Sequence, residues 1–362
     1  MDTKSRIIGI DLARAVALFG IILFDCKMFF HPEHGREALQ FFSSLFDGQA
    51  AVLLSVLGGI TYGLATQEDN FYIDDTKLLK VRKSILKRSV VIFIFGMLLK
   101  TVWPAEILSV TAIYCVLGIV AIERSRSSIL VLAVLSILAF VLLAVLNFSY
   151  NLGWQNNDPF SFVYTNWTFK GMFRFLFYNG FYPIFPWFSF FLLGIWVSRF
   201  DISNESERNK VLVFGGSLFF LGWNLSETLK RLLSDGTIPL DSKKITPFLE
   251  LDFVPPGPLF VLYASGIAIM VILFMVHWGQ KMKNTKILAP FCSVGQSFWT
   301  IYLLHLLVGL GCSHYLNNVG EWKFGSVVVY SLSVFGLGTV LAYLWALFVR
   351  LPTPIEMLIK KI

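Results

Sequence analysis

Charged residues are scarce in this chain. They make up 15% of its 362 residues, whereas 56% of the residues are apolar. A soluble domain has about 25% charged and 45–50% apolar residues. The apolar excess extends over the whole length, which excludes an ordinary soluble domain. The composition therefore predicts an all-α polytopic membrane helix bundle, in which each span needs about 20 apolar residues.

Several motifs of enzymes and pumps are also missing. The chain has no Walker A motif, no GxGxxG after a strand, no GxSxG and no HExxH, which disfavours ATP-driven pumps, dinucleotide enzymes and zinc proteases. The four cysteines form no CxxC pair, so buried thiols are favoured over a metal site, and we expect no metal. The net charge of +7 comes from short loops beside spans, so we expect no nucleic-acid partner.

Ten apolar stretches predict about ten transmembrane helices in one membrane domain over residues 1–362. Basic residues cluster in alternate loops and in the C-terminal tail, which predicts that both termini are cytoplasmic. We expect an integral protein of the plasma (inner) membrane, with the lipid bilayer as a partner. A short apolar stretch, Phe173–Phe181, leaves an eleventh span open. The ten stretches are Ile7–Phe30, Leu45–Thr66, Ile85–Thr101, Ile107–Ile122, Ile129–Leu146, Tyr182–Phe200, Val211–Leu225, Pro258–His277, Ile287–His314 and Gly325–Val349.

The first span carries charges that are unusual in a membrane helix. A carboxylate near the bilayer centre costs about 3 kcal/mol on insertion scales, so such residues are functional candidates. Asp11 and Arg14 are three residues apart and share a helical face. They either anchor the helix at the cytoplasmic interface or form the inner mouth of a cavity, where Arg14 meets an anionic ligand. Asp25, past the middle of the span, is a candidate to orient a histidine or exchange protons with it.

Three histidines are candidates for acid–base chemistry. His31 and His34 follow the first span at the outer face, where they are either catalytic groups or solvated loop residues. No third ligand with suitable spacing accompanies them, which disfavours a metal site. His305 lies within an apolar span and shares a face with Tyr302. It either lines a cavity or is satisfied by a neighbouring helix.

Polar and proline-rich positions at the starts of two further spans add candidate binding residues. Asp47 and Gln49 open the second span, and Asp47 is a favourable N-cap. Trp187 follows two prolines at the start of the sixth span. Prolines free backbone groups, which usually face protein or a cavity inside a membrane.

Two long gaps between spans, at 147–181 and 226–257, fall on the predicted outer side. Loops of this length are usually functional or disordered. Trp154 and Trp167 lie in the first gap, where they either anchor the protein at the interface or stack on a sugar. A glycan acceptor would suit this side.

An ordered set of motifs resembles the transmembrane acyltransferases that group heparan-α-glucosaminide N-acetyltransferase-like proteins with YeiB-like and acyltransferase-3 membrane proteins. The first span has the Asp-x-x-Arg start, and later segments are similar to the family's "YP-x-x-PW…LLG" and "G-x-x-S-x-x-x-Y-x-x-H" helices. The matching segments are IDLARAVALFGIIL, FDGQAAVLLSVLGGITYGL, RSVVIFIFGMLL, AEILSVTAIYCVLGIV, YPIFPWFSFFLLGIWVSR and VGQSFWTIYLLH.

The resemblance implies that an acyl group, most simply acetyl, moves from cytoplasmic acyl-CoA to a sugar or glycan acceptor at the outer face. It implies a catalytic histidine at His31, with His34 in reserve. Asp25 stands where the family would have Asn or His, and Ala15 stands where Gly usually follows the Arg. Asp25 would orient the imidazole.

The remaining assignments follow from the same interpretation. His305 and Tyr302 would line the same cavity. Basic residues of the inner loops, Arg82, Arg88 and Arg124, would meet the phosphates of acetyl-CoA, the expected co-substrate.

Two other functions stay open. In a proton-coupled transporter, Asp25 and His305 would form the proton relay. In a non-catalytic subunit of an envelope assembly machine, Asp25 would affect partner binding alone. The sequence predicts no oligomeric state.

Overall fold

The computed structural model describes residues 6–30, 32, 36–66, 75–100, 103–146, 149–157, 163–236, 242–283, 285–311 and 322–361. These ranges contain helices and no β-strand, which confirms the all-α fold class. The α-helices are α1 (Ile8–Phe30), α2 (Glu37–Ser44), α3 (Gln49–Ala65), α4 (Asp75–Lys100), α5 (Leu108–Leu117), α6 (Arg126–Val145), α7 (Phe169–Arg174), α8 (Ile184–Ser198), α9 (Glu205–Ser234), α10 (Ser242–Leu249), α11 (Pro258–Lys281), α12 (Ala289–Gln296), α13 (Phe298–Leu304), α14 (Phe324–Phe348) and α15 (Pro354–Lys361).

The number of spans is only partly established. Four described segments are long and apolar enough to cross a membrane: Glu37–Ala65, Arg126–Val145, Pro258–Lys281 and Phe324–Phe348. Two bent helix pairs raise the number to six if each pair is one span. Ten spans and cytoplasmic termini therefore stay predictions.

Helices α1 and α6 show two different environments for an apolar helix. In α6 the buried residues are Ile129, Ala133, Ser136 and Phe140, which form one stripe at helical spacing. In α1, 17 of the 23 residues are buried, Asp11 and Asp25 among them. Protein therefore surrounds α1 on most sides, and its charged side chains meet protein groups rather than lipid.

The chain divides into two compact units. The first unit comprises Met1–Leu54 and Val271–Ile362, and the second comprises Ser55–Met270. In the first unit, α1 packs against α12 and α14. An apolar cluster of Leu23, Phe324 and Val328, joined by Phe19, Leu39 and Phe46, fills the space beside α1. The prediction of a single membrane domain stays a prediction.

In the second unit, α6 packs against α8, and α4 packs against α5. The start of α6 is capped by Ser125, whose side chain accepts a hydrogen bond from the Ser128 amide. Trp187, Phe190 and Phe191 of α8 are fully buried and form much of the core.

Two apolar stretches are bent rather than straight. The predicted span Ile287–His314 is broken at Ser297, where α12 and α13 meet and the helical halves Lys286–Gln296 and Phe298–Leu310 make an angle of 70°. The stretch Phe169–Asn179 meets α8 at 47°. That second bend involves Phe173–Phe181, the short apolar stretch that left an eleventh span open in the sequence analysis.

Close contact between α1 and α12 depends on Gly295. A methyl group at Gly295 would lie 2.1 Å from the carbonyl oxygen of Asp11, a backbone atom that cannot move away easily. We expect Gly295→Ala to lower the free energy of unfolding by about 1–3 kcal/mol, the usual cost of overpacking. Gly336→Ala on α14 is the matched control, because nothing lies within 4 Å of its added methyl group. Equal unfolding curves for the two variants would contradict this packing.

Candidate functional site

The buried carboxylate of α1 contacts the histidine of the broken span. Asp25 Oδ2 lies 3.0 Å from His305 Nε2, and each side chain is only 1% exposed. The two residues are 280 positions apart in the chain, yet both belong to the first unit. The structure thus brings together two residues that the sequence analysis had paired only in the transporter alternative, as a proton relay.

The other ring nitrogen of His305 has no hydrogen-bond partner within the part of the chain that the structure describes, although it is buried. A carboxylate can only accept hydrogen bonds, so its contact with Nε2 assigns the proton to Nε2. The lone pair of Nδ1 is then available to accept a proton. An Asp–His pair in this arrangement can act as a general base that is held in one orientation.

The position of His305 in its helix is unusual. His305 follows α13 directly and begins a π-helical segment, His305–Leu310. Such segments are rare and often occur at functional sites. The ring of Tyr302 lies 5.2 Å from the imidazole ring, in an edge-on orientation. Tyr302 therefore contacts His305 on the helical face that their spacing predicted, and the lining of a shared cavity stays a prediction.

Asp47 binds a lysine that the sequence had not paired with it. Lys27 Nζ donates to both carboxylate oxygens of Asp47 at 2.7 Å, which links α1 to the turn before α3. The side chain of Gln49 leaves its buried Oε1 without a partner among the described residues. Asp47 thus connects the turn before α3 to α1. A contact between Asp47 and a substrate stays a prediction.

Asp11 and Arg14 form a charge cluster near the start of α1. Asp11 accepts from Arg6 Nε at 2.6 Å and from Arg14 Nη1 at 3.1 Å, while its side chain is only 4% exposed. Two guanidinium groups surround one carboxylate, so the cluster carries net positive charge. That sign agrees with the predicted contact to an anionic ligand, which no bound group tests.

Predicted site residues of the second unit include Trp187, Arg82, Arg88 and Arg124. Trp187 is fully buried against Tyr182, and its Nε1 has no partner among the described residues. Arg82 forms an ion pair with Glu123 at 2.5 Å, and Arg88 is exposed on the same helix.

His31 and His34, the predicted catalytic histidines, lie outside the described residues. In the described ranges, no group of three or more His, Cys, Asp or Glu side chains could hold a metal ion.

One contact near the site was not anticipated from the sequence. Glu356 of α15 binds the first backbone amides of α13, the helix that leads to His305. The spacing Thr353-x-x-Glu356 is a capping-box signature, which would have predicted the start of α15. The same spacing does not predict that Glu356 also contacts α13.

Comparison with known proteins gives one match. Residues 6–222 match the sequence model of a family described as "Heparan-alpha-glucosaminide N-acetyltransferase, catalytic". The matched range contains Asp25 and ends before His305. Neither a curated protein nor a solved structure matches the chain. Because the match covers more than half of the chain, the protein belongs to the heparan-α-glucosaminide N-acetyltransferase catalytic family, a family of membrane acetyltransferases.

Proposed function

We propose that this membrane protein transfers an acetyl group from acetyl-CoA to an amine or hydroxyl of a sugar or glycan, with His305 as the general base. The single observation that carries the proposal is the buried contact between Asp25 Oδ2 and His305 Nε2 at 3.0 Å, with Nδ1 of the same ring unbonded among the described residues. Membership of the acetyltransferase family supports the reaction class.

The proposed reaction needs one proton acceptor and one proton donor. Nδ1 of His305 takes the proton of the acceptor O–H or N–H as that atom attacks the thioester carbonyl carbon. The carbon–sulfur bond then breaks, and the thiolate leaves. The imidazolium returns its proton to the thiolate, which gives free CoA and the acetylated acceptor. Asp25 stays ionised, keeps the ring oriented and stabilises the imidazolium, as in a catalytic triad.

The proposal assigns the base to His305 rather than to His31, because His305 contacts Asp25 within the part of the chain that the structure describes. His31 and His34 keep a proposed place at the outer end of α1, beside the acceptor. The phosphates of acetyl-CoA would contact the basic residues Arg82, Arg88 and Arg124. Arg82 is partly neutralised by Glu123, whereas Arg88 and Arg124 are exposed.

The direct test is acetyl transfer by the purified protein in lipid nanodiscs. We expect labelled acetyl-CoA to label a sugar acceptor from a panel of amino sugars and neutral sugars, and free CoA thiol to appear in equal amount. Nanodiscs without protein give the background. A panel in which no amine or hydroxyl acceptor gains label, while CoA thiol stays at background, would overturn the proposal.

A buried Asp–His pair would also suit a proton-coupled transporter. The same protein in proteoliposomes separates the two functions. A transporter would accumulate solute when a pH gradient is imposed and would do so without acetyl-CoA. An acetyltransferase would modify its acceptor without any imposed gradient.

A further inference from the structure

We propose that Glu356, on the C-terminal helix α15, is a positioning residue for His305. The expected effect on kcat rests on the proposed function. The structural role of Glu356 rests only on contacts within the first unit. Glu356 lies in no segment that the family match covers.

The break between α12 and α13 leaves backbone groups that need partners. Ser297 stands at the N-cap position of α13 and provides no side-chain hydrogen bond. The amides of Trp299 and Thr300 lie in the first turn of α13, where no intrahelical acceptor is available. Inside an apolar span these amides cannot rely on water, so another part of the protein must satisfy them.

Glu356 supplies the missing acceptors. Its Oε1 accepts from the backbone N–H of Trp299 at 2.9 Å and of Thr300 at 3.2 Å. Its Oε2 accepts from the Thr300 hydroxyl at 2.6 Å and from the Thr353 hydroxyl. A carboxylate at a helix N-terminus also interacts favourably with the helix dipole, and hydrogen bonds to a charged group are the stronger kind.

A capping box within α15 would explain only part of this arrangement. Thr353 and Glu356 have the spacing of such a box, and the Thr353 hydroxyl donates directly to the Glu356 carboxylate. The other three hydrogen bonds go to α13. Most hydrogen bonds of the Glu356 side chain therefore stabilise α13 rather than its own helix, α15.

The length of α13 connects this contact to the site. The helix has seven residues, and His305 stands at its C-cap. Two carboxylates from different elements thus hold the segment at opposite ends: Glu356 at its first turn and Asp25 at the imidazole. A shift at the first end would move Nδ1 relative to a substrate, and a displacement of about 1 Å can cost about 10²-fold in rate.

The test compares Glu356→Ala and Glu356→Gln with an exposed acid of the second unit, Glu250→Gln. We expect Glu356→Ala to lower kcat per folded molecule by about 10- to 100-fold with little change in KM, because a positioning residue acts on His305 rather than on substrate binding. Glu356→Gln keeps one carbonyl acceptor and should recover part of the rate. Glu250→Gln should match the wild type.

A double-mutant cycle separates positioning from general stability. If Glu356 and Asp25 both act through His305, the loss in Glu356→Ala combined with Asp25→Asn will be smaller than the product of the two single losses. Losses that multiply, or an unchanged kcat in Glu356→Ala, would overturn the inference.

Hydrogen exchange tests the inference without any assay of activity. Amides of the peptide covering residues 298–305 should exchange faster in Glu356→Ala than in the wild type and in Glu250→Gln. Unchanged exchange there would overturn the inference, even if the acetyl transfer is confirmed. Faster exchange in a protein that transfers no acetyl group would reject the proposed function and leave Glu356 as the residue that holds α13.

Discussion

Replacing His305 with alanine should lower kcat for acetyl transfer by about 10²–10⁴-fold, the usual contribution of a general base. The substitution removes the buried imidazole that Asp25 contacts at 3.0 Å, and with it the proposed proton acceptor. The rate should be measured per folded molecule in nanodiscs, with saturating acetyl-CoA and acceptor. His277→Ala is the matched control, because His277 is an exposed histidine on α11.

The double variant His31→Ala, His34→Ala separates the two assignments of the base. If His305 is the base, the double variant should keep most of the wild-type kcat. If the double variant loses turnover while His305→Ala retains it, the base lies at the end of α1, as the family resemblance implied. Full activity in His305→Ala would remove the Asp25–His305 pair from the mechanism.

Replacing Glu106 with alanine should destabilise the second unit by about 3–5 kcal/mol, the cost of leaving one partner of a buried ion pair alone. Lys100 Nζ lies 2.9 Å from Glu106 Oε1, and the two side chains are 3% and 0% exposed. Glu106 also accepts from the amide and the hydroxyl of Ser109. Among the described residues, Lys100 would keep its contact with the face of the Phe175 ring, 4.9 Å away.

Denaturant titration in detergent measures this loss, and two further variants interpret it. The double variant Lys100→Met, Glu106→Leu should recover most of the stability, because replacing both buried charges with apolar groups is often neutral. Glu207→Ala should leave stability unchanged, because Glu207 and Lys210 form an exposed pair. Wild-type stability in Glu106→Ala would show that the Lys100 charge finds another partner.

Sequence patterns predicted individual helices more accurately than their bends. The first and last predicted spans, Ile7–Phe30 and Gly325–Val349, differ by one residue at most from the ends of α1 and α14. Hydrophobic runs of this length specify a helix by themselves. The bend at Ser297 was not predicted, because the run from Ile287 to His314 is apolar on both sides of it. The acceptor that satisfies the break comes from α15, a tertiary contact that no local pattern contains.

The residues of the candidate site were predictable one by one, and Asp25 and His305 were paired only as the proton relay of the transporter alternative. Asp25 and His305 were recognisable because polar groups are costly in apolar spans. Their contact was not, since no local period links positions 280 apart. Asp47 was assigned as an N-cap or a binding residue, and its contact with Lys27 depends on how the chain turns before α3. Glu356 has the appearance of an ordinary surface acid in a short amphipathic tail.

The separation of Asp25 from His305 has a consequence for biosynthesis. Ribosomes add about 5–20 residues per second, so roughly a quarter of a minute to a minute passes between the synthesis of the two residues. During that time α1 carries a carboxylate whose histidine partner does not yet exist, and Glu356 is made later still. The first unit therefore assembles only when its two distant segments are both present. A chain that stops early in translation contains Asp25 but lacks His305. The site is therefore complete only after α13 and α15 have been synthesised.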